Sequence, residues 1–323
     1  MTSSALNKSG RWLRSSAICG TVVWLLVQFL LPNRTLEISL TSRLVLLSML
    51  VLTPLALSLV PVVMDDNKEP FAYFAARLLQ PFAAAAATIS FLLNEGKIAA
   101  ELASLWLVFT ILVALFGLGR LIQRPTGFEQ FCVVAAALYL PVGGTWLVAS
   151  RLGYRPLGFS TAIVLLTAMH FHYAGFAAPV ITAMVGHRIR QLRPSSMKIF
   201  NSISIGVIAG TPLLAAGITF SPVLEVISAV ILSLSLMGIC FLMIGIVVPD
   251  TRNAFARTFL LISSISVFAG MLFATGYSIG SVSGHPIISI PQMVESHGIA
   301  NAFGFTLCAL LAFVITQSKD NKG

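Results

Sequence analysis

Apolar residues along the chain gather into ten long stretches, near 16–31, 44–63, 71–93, 98–119, 131–150, 157–185, 199–220, 223–248, 256–280 and 291–316. Each approaches the roughly 20 residues that a helix needs to cross the hydrocarbon core of a bilayer. Turn and charge signals separate them: Pro32-Asn33, Asp65-Asp66-Asn67, Asn94-Glu95-Gly96, Arg120 to Arg124, Arg151 to Arg155, Gly186 to Pro194, Ser221-Pro222, Pro249-Asp250 and Ser281 to Pro286. The pattern predicts an all-α, polytopic transmembrane helix bundle of about ten spans, forming a single integral membrane domain over 1–323. The third stretch is the least uniform, because it contains Arg77, Gln80 and Pro81. Two halves of five spans, 1–150 and 157–316, would have opposite orientations, as in transporters built from inverted repeats. No residue-level similarity links the halves.

Composition sharpens the class. Of the 323 residues 57% are hydrophobic and 10% charged, with a mean hydropathy of +0.93; a soluble domain carries about 25% charged residues. That excludes a soluble enzyme, a nucleic-acid-binding module and a disordered protein, and it makes the lipid bilayer the chief partner. The net charge of +9 sits in short runs between apolar stretches, which is the footprint of topology signals. With the N-terminus in the cytoplasm, fifteen basic residues fall inside: Lys8, Arg11, Arg14, Lys68, Arg77, Arg120, Arg124, Arg188, Arg190, Arg193, Lys198, Arg252, Arg257, Lys319 and Lys322. Only five fall outside: Arg34, Arg43, Lys97, Arg151 and Arg155. Both termini are therefore expected in the cytoplasm, the membrane being the inner (cytoplasmic) membrane of the cell. The first stretch follows Lys8, Arg11 and Arg14 as a signal peptide would, but leads into Pro32-Asn33-Arg34 rather than a small-x-small site, and is read as a retained span. Cys19, Cys132, Cys240 and Cys308 all lie within apolar stretches and form no C-x-x-C pair, so they read as free thiols. The loops are short, which confines the protein's activity to the bilayer or its surface.

Polar groups within spans are costly and mark function by default. Several have simple readings. Glu101 lies four residues after Lys97, Glu225 suits the first turn of a helix opened by Ser221-Pro222, Arg77 can snorkel, and Asn201 reads as a cap. Gly206 with Gly210, and the series Gly276, Gly280 and Gly284, read as close-packing faces.

Two clusters resist such treatment. In span six, His170-Phe171-His172-Tyr173-Ala174-Gly175-Phe176 places two imidazoles and a phenol near mid-bilayer. On a regular helix His170 and Tyr173 share a face, whereas His172 points about 160° away from His170. Either span six is flanked by protein on both sides or its helix is broken. Pro179 supports the break, since it has no N–H for the Gly175 carbonyl, and broken helices at mid-membrane build substrate sites in secondary transporters. In span ten, His297, Asn301, Gly304 and Cys308 follow at i, i+4, i+7 and i+11 along one face. Pro291 suits that helix's start; alternatively Ser296 caps a shorter helix and Glu295 stays at the surface.

The run HFHYAGF in span six, followed by HG-x-x-N-A-x-GF in span ten, resembles the YndJ-like family of bacterial membrane proteins. The resemblance covers chiefly 157–316 and implies a multi-pass membrane protein of unestablished activity, sometimes described as a transporter. It carries no catalytic assignment, but it gives a reason to place both polar clusters in one site.

The leading functional expectation is a transporter or permease-like protein with a histidine-containing pocket between spans six and ten. His170, His172, Tyr173, His297 and Asn301 would bind an unidentified small molecule, with Gly175, Pro179, Glu295, Gly298 and Gly304 in support. No carboxylate sits mid-span, so proton coupling would have to use histidine. The alternative is an intramembrane redox protein or enzyme whose histidines hold a haem or transition metal; the leading reading needs no cofactor. A third is an accessory protein whose polar cluster fixes helix packing. Oligomeric state stays open.

Overall fold

The structure, a computed structural model, describes residues 3–30, 39–61, 69–285 and 288–320, the side chains of 3–8, 30 and 318–320 excepted. The breaks at Pro32-Asn33, Asp65-Asp66-Asn67 and Pro286, and Arg34, Lys68 and Lys322, lie outside the described residues, as do the side chains of Lys8 and Lys319. Among the described residues ten helices are long and apolar enough to cross a membrane. They are α1 (Ser3–Leu30), α2 (Leu40–Leu59), α3 (Phe71–Phe91), α4 (Lys97–Ile122), α5 (Phe128–Leu152), α6 (Thr161–Leu192), α7 (Met197–Phe220), α8 (Pro222–Asp250), α9 (Ala254–Ser283) and α10 (Ile290–Gln317). The chain is an all-α multi-pass membrane protein, with the ten spans that its hydropathy pattern predicts.

The helices divide into two compact units. Unit 1 comprises Met1–Pro125 and Val134–Ala177; unit 2 comprises Thr126–Val133 and Ala178–Gly323. The boundary therefore runs through α5 and through the middle of α6. In unit 1, α2 is the enclosed element, with 83% of its apolar window buried, against 17% for α1. Trp106, Phe109, Leu44, Leu46 and Met49 form the unit's interior. In unit 2, α7 and α8 pack most closely. A Cβ at Gly206 would collide with the Ser235 hydroxyl, and one at Gly210 would lie 2.9 Å from Leu232. The expected small-residue face is thus present there. In the second glycine series only Gly280 is buried: Gly276 and Gly284 have open space around them, and Gly284, at φ +70, ends α9 in the left-handed conformation.

Among the described residues the spans depart from regular α-helix in five places, each a widened π turn: Ser48–Leu52, Phe171–Ala177, Met243–Val247, Val294–Gly298 and Ala300–Leu307. The first three end two residues before Pro54, Pro179 and Pro249. A proline ring clashes with the carbonyl four residues earlier, here Leu50, Gly175 or Gly245, each inside the widened turn. Widening absorbs the clash without interrupting the span. The break expected in α6 is accordingly corrected: the helix runs from 161 to 192 and is wider at 171–177.

Three smaller expectations change. Asn201 is not a cap, because α7 starts at Met197 after Ser196, which leaves Asn201 inside the helix. Arg77 does not merely snorkel; it makes a two-bond pair with Glu69, at 2.7 and 3.0 Å. Ser296 does not open a shorter helix, since Ser289 and Gln292 form a capping box around Pro291 and the Ser296 hydroxyl donates back to the Gln292 carbonyl. The Lys97–Glu101 pair and the Ser221 cap before Glu225 are as expected.

Candidate functional site

The first polar cluster lies wholly in unit 1. The widened turn at 171–177 turns His172 toward α4 and Tyr173 toward α2. His172 is 1% exposed and lies between two partners: its Nδ1 is 2.7 Å from the Ala168 carbonyl, and the Trp106 indole N–H donates to its Nε2 at 2.8 Å. A carbonyl only accepts and an indole only donates, so the partners fix the tautomer, with hydrogen on Nδ1. The two rings lie 5.9 Å apart and 23° from parallel. Gly143 of α5 leaves room for the imidazole, since a Cβ there would come within 2.7 Å of Nδ1. Tyr173 donates to the Leu44 carbonyl at 2.9 Å. His170 is half-buried, edge-on to Phe171 at 6.2 Å. Gly175 lets α5 approach: a Cβ there would sit 3.3 Å from that of Tyr139. Of the two geometries expected for span six, protein on both sides is therefore the one present in unit 1.

The second cluster lies wholly in unit 2. The His297 Nδ1 donates to the Gly270 carbonyl of α9 at 2.8 Å, and the Asn301 amide donates to the His297 carbonyl at 2.7 Å. Because Nδ1 carries that hydrogen, the 3.1 Å approach of the Asn301 amide nitrogen to it is a contact between two donors. Nε2 has no hydrogen-bond partner among the described residues. Ser263 donates to the Phe305 carbonyl at 3.0 Å, and Gly304 leaves space for Ser266. Gly298 is buried in the same stretch, and Pro179 is buried within the part of α6 that belongs to unit 2. Unlike the other three, the widened turns of α10 precede no proline; π turns of that kind occur frequently at functional sites.

Glu295 is exposed at the head of α10. With Phe273, Ile288, Gln292 and Ser296 it lines an open depression of about 350 Å³, at the small end of the range of ligand pockets, roughly 300–1,000 Å³. His297 follows two residues later. Each cluster is thus built from one unit's own side chains. Among the described residues no three His, Cys, Asp or Glu side chains come together as a metal-ligand set, and both ring nitrogens of His172 already have partners.

Trp106, Gly143 and Gly270 were not singled out by the sequence pattern. The signal for Trp106 was chemical: a buried imidazole needs a donor for its second nitrogen, and a buried indole needs an acceptor.

Comparison with known proteins adds the family. The profile of the YndJ-like protein family matches residues 43–305, a range that takes in both polar clusters. The chain belongs to the YndJ-like family. A relative named Uncharacterized membrane protein YndJ, from Bacillus subtilis (strain 168), is 31% identical over 288 residues, 88% of this chain and 50% of that protein. The chain thus spans about half the length of the curated relative it matches. No solved structure matches this YndJ-like chain.

Proposed function

We propose that this YndJ-like protein is a permease-like carrier of a small solute, and that α9 and α10 of unit 2 carry its substrate path. The reading rests on one observation above all. A proline-free widened stretch of α10 holds His297, with a ring nitrogen to spare, two residues after Glu295, which lines an open depression at the head of the same helix. Loosened helical segments bearing polar groups at membrane depth are how secondary carriers bind solutes. In this reading the unit 1 cluster is structural, holding α2, α4 and α6 in register through Tyr173, His172 and Trp106. The bias of basic residues supports a topology with both termini in the cytoplasm of a bacterial cell.

The test is solute uptake by proteoliposomes, using labelled amines, amino acids, sugars and carboxylates, with protein-free vesicles as the baseline. The informative variant is His297→Asn, whose amide can still donate to the Gly270 carbonyl while Nε2 is removed. At least one solute class should enter about tenfold faster than into protein-free vesicles. His297→Asn should lose most of that flux while unfolding at the wild-type temperature. Uptake at the baseline for every class would overturn the proposal, and so would a flux that His297→Asn leaves intact.

A further inference from the structure

Charge in unit 2 is divided lengthwise. The sequence contains no Lys or Arg in 199–251 or in 258–318; the bases of the described helices cluster at Arg188, Arg190, Arg193, Lys198, Arg252 and Arg257. Since α7 to α10 are consecutive antiparallel spans, those bases share the end formed by the 193–198 and 251–253 turns. The opposite end, formed by the Ser221 turn and the head of α10, carries Glu225 and Glu295. Among the described residues neither of these is in an ion pair. At the basic end, by contrast, Glu129 and Asp250 are matched by Arg190 and Arg188 at 2.7 and 2.8 Å.

We propose that the depression at the head of α10 binds a monovalent organic cation, a protonated or quaternary amine, with Glu295 as its counter-charge and Phe273 as its aromatic wall. The lining has the composition such a ligand needs. One carboxylate balances one charge, and the Ser296 hydroxyl oxygen can accept from an ammonium N–H, the Gln292 side-chain oxygen being held by Ser289. Phe273, 40% exposed, offers the ring with which alkylated ammonium groups associate. The absence of any lysine or arginine from these spans removes the competing intramolecular cation. A divalent metal is a poorer match, since it needs six or more oxygen ligands and the lining supplies one carboxylate. An anionic solute would meet Glu295 with no lysine or arginine in 258–318 to compensate it. The inference deepens the transport reading by naming the class of solute that enters.

Binding is tested on the purified full chain in detergent with labelled tetraethylammonium, and competition with benzyltrimethylammonium against phenylacetate at equal ionic strength. One saturable site per chain is expected, displaced by benzyltrimethylammonium and indifferent to phenylacetate. Glu295→Gln, at an exposed position, should weaken binding tenfold or more. Phe273→Leu should weaken it about 2–5-fold, whereas Glu101→Gln in unit 1 should leave it unchanged. Absence of saturable binding, or equal affinity in Glu295→Gln, overturns the inference. Proteoliposome flux separates it from the broader reading. Glu295-dependent amine binding without flux of any solute supports the site and sinks the carrier. Flux of another solute class, untouched by Glu295→Gln, sustains the carrier and sinks the site.

Discussion

Removing the hydrogen bond between Trp106 and His172 should cost more than most polar contacts in a membrane protein, and its size follows from the geometry. The 2.8 Å bond joins an indole 0% exposed to an imidazole 1% exposed. Trp106→Phe deletes the donor and leaves the Nε2 lone pair enclosed; His172→Asn keeps a donor for the Ala168 carbonyl and leaves the indole N–H enclosed. Stranding a buried polar group costs about 1–3 kcal/mol in soluble proteins. Inside a membrane the unfolded reference also finds partners, and measured side-chain pairs average about 0.6 kcal/mol with a maximum near 1.7. Here each atom has a single partner and no route to water, so a coupling of about 1–1.7 kcal/mol is expected. A double-mutant cycle on reversible unfolding in mixed micelles measures it, because the cycle cancels the loss of ring volume that each single substitution brings. A coupling below about 0.3 kcal/mol, the scatter of independent sites, would refute the claim that this pair locks α4 to α6.

Other consequences concern the same elements. Gly143→Ala would push a methyl against the His172 ring and should destabilise by about 1–3 kcal/mol, whereas Gly119→Ala, with nothing within 4 Å, should be neutral or slightly stabilising in the same unfolding assay. Tyr173→Phe removes the donor to the Leu44 carbonyl and should cost about 0.6 kcal/mol, 1.7 at most; a larger loss would mean that the phenol supports more than one bond.

The spans were legible in the sequence because bilayer thickness imposes a length that hydropathy reports directly. The clusters at His170–Tyr173 and His297–Asn301 were legible as anomalies, since polar side chains deep in apolar stretches demand a partner. Their partners were not, because hydrogen bonds such as Trp106 to His172 join residues 66 positions apart, and which span neighbours which is set by packing. The sequence also suggested that Asn201 caps α7, since a polar residue near a helix start usually does; the 194–196 turn instead feeds the helix four residues earlier. Arg77 was read alone because Glu69 precedes its helix, and only the turn of the chain brings the two together.

The prolines act on packing as much as on helix shape. Along the sequence Pro54, Pro179 and Pro249 are interruptions; in three dimensions each is absorbed by a widened turn, and the carbonyls that prolines deprive of donors become anchoring points. Trp12 donates to the Arg77 carbonyl, which Pro81 leaves without its helical partner, at 2.9 Å. At the end of α2 the Leu57 carbonyl accepts from the Val60 N–H at 3.2 Å and also from the Tyr73 hydroxyl at 2.9 Å. The Leu50 carbonyl before Pro54 is met instead by Gly20 of α1, where a Cβ would collide with it. Since α1 has only 17% of its apolar window buried, this close approach adds to the bonds that hold it, from Ser9 to Glu69, Trp12 to Arg77 and Trp24 to Arg43. Gly20→Ala must therefore lift α1 away from α2 or distort the widened turn, at about 1–3 kcal/mol. Pro54→Ala, which lets Leu50 regain an intrahelical donor, should recover part of that loss in the double variant. Crosslinking between cysteines placed on α1 and α2 reads the separation, and unfolding in mixed micelles reads the energy. If Gly20→Ala were silent in both, α1 would be held by lipid and by its other contacts, and the freed carbonyl would not be the anchor.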